Sequence, residues 1–161
     1  MDISKRKHKY DLYYGAISYS IGNCKNAFVY LKNTNDELNE CWRSGRTGNI
    51  NELGQRDRVF KDYLILKVAG LFDKNADALS LISFRAFQKN AFPEFYRHFS
   101  SELDKAISEY KDTINKIIES RHKVVAHADK DGFDNLIHTQ DLLNMPIPSL
   151  LRDMENLLAS V

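Results

Sequence analysis

The sequence predicts an all-α protein, an up-and-down bundle of four to five main helices with a short C-terminal helix. Apolar residues recur at helical spacing along most of the 161 residues. Only 7 Gly and 3 Pro interrupt the chain, which is few for the turns of an all-β fold. A chain of this length most often forms one domain, so we assign residues 1–161 to a single helical domain.

The first predicted helix runs from about Lys9 to Lys32. Asn33 or Thr34 is suited to cap a continuation of this helix. The apolar residues of the helix are spaced alternately by four and three, as in a helix packed nearly antiparallel on a neighbour. They are Tyr10, Tyr14, Ile17, Ile21, Cys24, Phe28 and Leu31.

Five further helices are predicted after a glycine-bearing break at 44–54. They cover about 55–72, 78–90, 94–127, 135–143 and 149–159. The helix at 94–127 is the longest, because its apolar residues keep helical spacing for roughly seven turns. An Asp-Gly turn signal follows it, and two prolines precede the final amphipathic helix.

Charge is nearly balanced over the whole chain. The formal net charge is +1, so any contact with nucleic acid must come from a local patch. The N-terminus, about residues 1–8, begins a basic arm, which we expect to be a frayed, solubilising terminus rather than a nucleic-acid tail. Its basic residues are Lys5, Arg6, Lys7, His8 and Lys9.

Cysteine usage and hydropathy indicate a cytoplasmic protein. Cys24 and Cys41 form neither a C-x-x-C pair nor a zinc-ligand pattern, so we expect free thiols in a reducing compartment. No apolar run reaches the ~18 residues of a membrane helix. No apolar signal core follows the basic N-terminus.

One stretch, Arg121–His127 (RHKVVAH), has the composition of a working site. At about 100° per residue, Arg121 falls in the middle of the apolar stripe that Ile114, Ile117 and Val125 form. Burying an unpaired guanidinium would cost several kcal/mol. Arg121 must therefore pair with a carboxylate, extend to solvent near the helix end, or bind an anion such as phosphate.

His127 points away from Arg121 on an ideal helix. The two side chains can share a cleft only if the helix ends or distorts between them, or if two protomers combine their residues. His122 flanks the apolar stripe, and Lys123 adds positive charge that Asp129 partly offsets. For each histidine alone, a surface or capping role is the plainer interpretation.

The segment RHKVVAHADKD, near the end of a long helix in an all-α chain, resembles the motif of the HEPN superfamily. It is similar in particular to the U-type abortive-infection branch of that superfamily. A second segment, ILKVAGLFDKNADALSLISF, resembles the apolar helix of that branch, its leucine–hydrophobic–aspartate turn and its next helix, which opens with serine and leucine. With the helix order, the resemblance covers about Gln55 to the C-terminus.

The resemblance implies a homodimeric, metal-independent endoribonuclease that needs no cofactor and acts in phage defence or as a toxin. Arg121 and His127 match the catalytic arginine and histidine, and His122 matches the polar position of the motif. The two motifs would face each other across the dimer axis and form one composite cleft. RNA would be the substrate, the product would carry a 2′,3′-cyclic phosphate, and a cognate antitoxin is compatible with such a protein. Lys123 and Asp129 would support the site.

Two positions depart from relatives in that branch and superfamily. Asp129 stands where some toxin-type members carry a tyrosine, and Gly70 stands where some relatives carry an arginine before the aspartate turn.

Two other functions also fit the residues. A non-catalytic HEPN-like module would bind nucleotide, RNA or a partner protein through Arg121. A helical scaffold without a site would pair Arg121 with a carboxylate of the same protomer.

Overall fold

The fold is described from a computed structural model, in which residues 2–126 and 137–161 are described. Seven α-helices cover 84% of these residues, and they contain no strand. The predicted all-α bundle is therefore confirmed. More helices are present than predicted, because the longest predicted helix is divided into two.

The first helix, α1, is continuous from Ile3 to Ser44. The predicted break at Asn33 or Thr34 is wrong, because both residues are helical and Thr34 is buried in the bundle. The expected frayed terminus is also wrong, since the helix already begins at Ile3. At its other end α1 stops at Gly45, where a φ of 68° favours glycine.

The second and third helices are joined by the loop at 72–80. The second helix, α2, spans Ile50–Leu71, so it begins earlier than predicted. The third, α3, spans Leu81–Ala91 and starts at a capping box. The hydroxyl of Ser80 accepts from the N–H of Ser83, and the hydroxyl of Ser83 accepts from the N–H of Ser80.

The helix predicted at 94–127 is two helices, α4 at Pro93–Glu109 and α5 at Lys111–Ala126. They meet at Tyr110, whose buried side chain donates a hydrogen bond to Oδ2 of Asp153 over 2.7 Å. Tyr110 continues the apolar spacing, so no sequence signal marks the break. Two helices complete the described chain: α6 at Thr139–Leu143 and α7 at Ile147–Ala159.

The bundle is organised around α1 and α2. The first helix packs on α2 and on α7, α5 packs on α2, and α4 packs on α3 and α7. Lys25 pairs with Glu155 and Asn35 with Gln140, so α1 runs opposite to the α6–α7 segment. One apolar core lies between the helices.

Both cysteines are free thiols, as predicted. Burial raises the pKa of Cys24 to about 12, so this thiol is an apolar core group rather than a nucleophile. Among the helices that the structure describes, none combines the length and the hydropathy needed to cross a bilayer.

Candidate functional site

Arg121 lies where the apolar stripe of α5 leaves the core. Ile114 and Ile117 are buried, whereas Val125 is 60% exposed. The side chain of Arg121 is 37% exposed. The residue is therefore at the edge of the core, and not in the middle of a buried face as the periodicity predicts.

Arg121 pairs with a carboxylate of its own protomer. Its Nη1 donates a hydrogen bond to Oδ2 of Asp73 over 3.0 Å. Asp73 follows the last residues of α2 in the loop at 72–80. This ion pair is the contact that the scaffold interpretation predicts. It uses one of the five N–H donors of the guanidinium, and no other bond from this side chain to a described residue is present.

The loop at 72–80 holds Asp73 from its other side. The N–H of Asn75 donates to Oδ1 of Asp73 over 2.9 Å, an arrangement typical of an Asx turn. The buried hydroxyl of Ser80 donates to the main-chain oxygen of Asp73 over 2.6 Å. The carboxylate is thus fixed by its own loop and presented to α5.

These contacts keep Asp73 ionised. The hydrogen bond from Asn75, followed by the one from Arg121, holds the pKa of Asp73 below its usual value. The side chains of Arg121 and Asp73 are 37% and 25% exposed, so solvent screens their attraction. The pair therefore contributes at most about 1 kcal/mol to stability, and its main effect is to orient the guanidinium.

The residues after Arg121 lie elsewhere on α5. His122 and Lys123 are both exposed. Lys123 is about 200° around the helix from Arg121, and it lines a separate groove of about 690 Å³ with Lys116 and Ser120. Arg121 does not line this groove. The structure therefore separates Lys123 from Arg121, which the sequence grouped together.

The groove lined by Lys123 carries charges of both signs. Lys116 and Lys123 are offset by Asp112, Glu119 and Asp141. Walls of mixed charge produce little net field for a polyanion. Within residues 2–126 and 137–161, no three His, Cys, Asp or Glu side chains come together as a metal site requires.

The other two residues predicted for the site, His127 and Asp129, lie outside the described residues. A shared cleft of Arg121 and His127 therefore stays a prediction, as does its location at a dimer axis.

The sequence analysis did not predict Asp73 as the partner of Arg121. A signal existed, because Asp73 and Ser80 both belong to the segment ILKVAGLFDKNADALSLISF. Asp73 and Arg121 are 48 residues apart, so no local periodicity connects them. Only the packing of α5 on α2 brings them together.

Comparison with protein families identifies the region that contains this ion pair. Residues 58–142 match the family model of the AbiU2-type HEPN domain. The matched region includes Asp73 and Arg121 and leaves out α1. Comparisons with curated proteins and with solved structures give no match.

Proposed function

Because the chain belongs to the HEPN superfamily, in the abortive-infection family AbiU2, we propose that it is a metal-independent endoribonuclease. It acts in the cytoplasm, in phage defence or as a toxin. The active form is a homodimer in which Arg121 and His127 of both protomers form one composite cleft. Cleavage leaves a 2′,3′-cyclic phosphate, and a cognate antitoxin would control the activity.

The observation that carries this proposal is the way in which Arg121 is held and exposed. Asp73 holds the guanidinium through one nitrogen at a half-exposed position. As far as the described residues go, the other N–H donors of Arg121 are available to a ligand. A planar fork of this kind binds phosphate through two bonds. Because Asp73 orients the side chain beforehand, less conformational freedom is lost on binding.

In the proposed reaction, the ribose 2′-oxygen attacks the adjacent phosphorus and the 5′-oxygen leaves. His127 takes the proton of the 2′-OH and then delivers it to the 5′-oxygen, since an imidazole titrates near neutral pH. Arg121 stabilises the negative charge on the non-bridging phosphate oxygens. His122 and Asp129 support the binding of the substrate, whereas Lys123, which was expected to do the same, lines a separate groove.

The test compares Arg121→Ala and His127→Ala with matched controls. Both substitutions should lower cleavage of a labelled RNA by at least about 100-fold, while light scattering still shows a dimer. Arg97 and His98 are exposed neighbours on α4, so Arg97→Ala and His98→Ala remove the same groups from another helix. These controls should cleave normally. Undiminished cleavage by either site variant would overturn the proposal.

The ion pair with Asp73 favours a second function. A non-catalytic HEPN module would bind phosphate through Arg121, which Asp73 of the same protomer orients, and would not need His127. Such a module would bind nucleotide, RNA or a partner protein. It predicts salt-dependent binding of RNA by the wild-type protein without any cleavage product.

A further inference from the structure

The first two turns of α1 carry several cations. They lie at the N-terminal end of the helix, where positive charge is least favourable. Lys5, Arg6, Lys7 and Lys9 follow directly after the helix start, and the first turn contains no acidic residue. The N-terminal end of a helix carries a partial positive charge, so these cations lower the stability of α1. The carboxylate of Asp2, the N-cap residue, offsets part of this cost, and an anionic ligand would offset more of it.

Aromatic rings fix this basic segment against α3. Tyr13 is buried and stacks on Phe84 and Phe87, with ring centroids 5.6 and 5.5 Å apart. The Nζ of Lys9 lies 5.9 Å from the ring centroid of Tyr13 and 5.5 Å from that of Phe87, within cation–π range. The charge of Lys9 is therefore held over an aromatic floor. Lys9 and Tyr13 therefore place the start of α1 along α3, where it forms one wall of a groove.

A groove of about 480 Å³ lies between this wall and α3. Its cations are Arg6 and Lys9, and Ser83 and Asn90 add polar side chains. The described residues that line it include no carboxylate, and no described carboxylate forms an ion pair with Arg6. The groove lined by Lys123 differs, because cations and carboxylates alternate there. The groove at the start of α1 therefore presents a positive field to an anion.

The same groove adjoins the loop that holds Arg121. Ala76 of the loop at 72–80 and Ser83 of α3 both line it. Ser83 shares the capping box with Ser80, whose hydroxyl binds the main-chain oxygen of Asp73. The loop at 72–80 therefore lines the groove through Ala76 and contacts Arg121 through Asp73.

We propose that the groove between the start of α1 and α3 binds the sugar–phosphate backbone of single-stranded RNA, with Arg6 and Lys9 contacting phosphates. The identity of the ligand rests on the proposed function. The groove adds a contact region that includes α1, which lies outside the family match. A bilayer surface would favour cations on a convex face, whereas Arg6 and Lys9 line a concave one.

The test uses the full-length protein and a fluorescein-labelled single-stranded RNA in which every ribose is 2′-O-methylated. This probe cannot be cleaved through its 2′-oxygen, so fluorescence anisotropy reports binding alone. Arg6→Gln/Lys9→Gln should weaken binding about tenfold at about 0.1 M salt. It should also reduce the slope of log affinity against log salt by about 1.4, the share of two phosphate contacts to a single strand.

Two control variants separate position from charge. Lys32 and Arg43 are exposed on the later part of α1, so Lys32→Gln/Arg43→Gln removes the same charge and should change affinity by less than about twofold. Arg6→Lys/Lys9→Arg keeps both charges and should bind like the wild type. If the double glutamine variant melts early, Arg6→Gln alone should still lower the salt slope by about 0.7.

Three outcomes would overturn this inference. One is equal RNA affinity of the wild type and Arg6→Gln/Lys9→Gln. Another is an equal loss in both charge-removing variants. The third is binding to phosphatidylglycerol vesicles that depends on Arg6 and Lys9, without binding to RNA. A protein that binds the methylated RNA through this groove but never cleaves unmodified RNA would keep the inference and refute the proposed ribonuclease.

Discussion

Arg121 and Arg6 are both half-buried arginines, yet their surroundings differ. Arg121 meets the fixed carboxylate of Asp73 at 3.0 Å, whereas Arg6 lines a groove whose described residues include no carboxylate. The first guanidinium is oriented and partly neutralised, and the second keeps its full positive field. Exposure alone would not distinguish them, so their partners decide what each can bind.

The largest effect on stability is expected from Ser80, because its hydroxyl holds the loop that carries Asp73, the partner of Arg121. Ser80 is fully buried, donates to Asp73 and accepts from the N–H of Ser83. Ser80→Ala removes a helix cap and leaves buried polar groups unpaired, so the free energy of unfolding should fall by about 1–3 kcal/mol. Urea unfolding followed by circular dichroism measures this change.

Ser44→Ala is the control for that prediction. Ser44 is exposed, and its hydroxyl donates to the main-chain oxygen of Glu40 over 2.8 Å. Its removal should change the free energy of unfolding by less than about 0.5 kcal/mol. Equal losses in the two variants would show that the loop at 72–80 does not depend on Ser80.

A smaller, pH-dependent effect should separate the two arginines. The fold lowers the pKa of Asp73, so the charged carboxylate stabilises the folded protein above its unfolded pKa of about 3.9. That stability is lost as the pH falls through the lower, folded pKa. The difference in unfolding free energy between the wild type and Asp73→Asn should be constant from about pH 7 to pH 5 and shrink towards about pH 2.

The corresponding difference for Arg6→Gln should change little over this range, because no described carboxylate forms an ion pair with Arg6. Urea unfolding at each pH supplies both curves. An Asp73→Asn difference that grows in acid would contradict the assigned ion pair.

The smallest effect is expected at the ends of α1, and it should have opposite signs there. Arg6→Gln removes a cation from the positive end of the helix and should raise the free energy of unfolding by about 0.3 kcal/mol. Arg43 lies in the last turn, where a cation is favourable, so Arg43→Gln should lower it by a similar amount. Thermal melts of the two variants check this, and the reverse order would contradict the assigned cost of the basic segment.

The sequence predicts the helices well where local spacing decides the structure. The all-α bundle follows from apolar periodicity, and Ile17, Ile21, Cys24 and Leu31 are buried as predicted. The break at Tyr110 could not be predicted in the same way, because Tyr110 fits the apolar spacing. Its hydroxyl binds a residue 43 positions away in the sequence, which only the folded chain brings close.

In the candidate site, too, local spacing predicts some features, whereas others depend on contacts that only the folded chain makes. The position of Arg121 on an apolar stripe predicts that it needs an anionic partner, but Asp73 is identified only by the packing of α5 on α2. The basic terminus was predicted wrongly because residues 4–9 are polar or charged and give no apolar spacing from which a helix can be predicted. The predicted apolar seam also included Tyr14, which is 38% exposed. Tyr13 is the buried residue, and it stacks on two rings of α3, a contact between helices that local spacing does not predict.

The most direct test of the central claim, a composite site built by two protomers, uses heterodimers carrying two different tags. One heterodimer pairs an Arg121→Ala protomer with a His127→Ala protomer. The other pairs a wild-type protomer with a protomer that carries both substitutions. Each contains one Arg121 and one His127.

RNA cleavage with a 2′,3′-cyclic phosphate end is the readout for both heterodimers. The composite site predicts that the first heterodimer cleaves RNA although neither parent homodimer does. No cleavage by that heterodimer, together with cleavage by the second, would contradict the account.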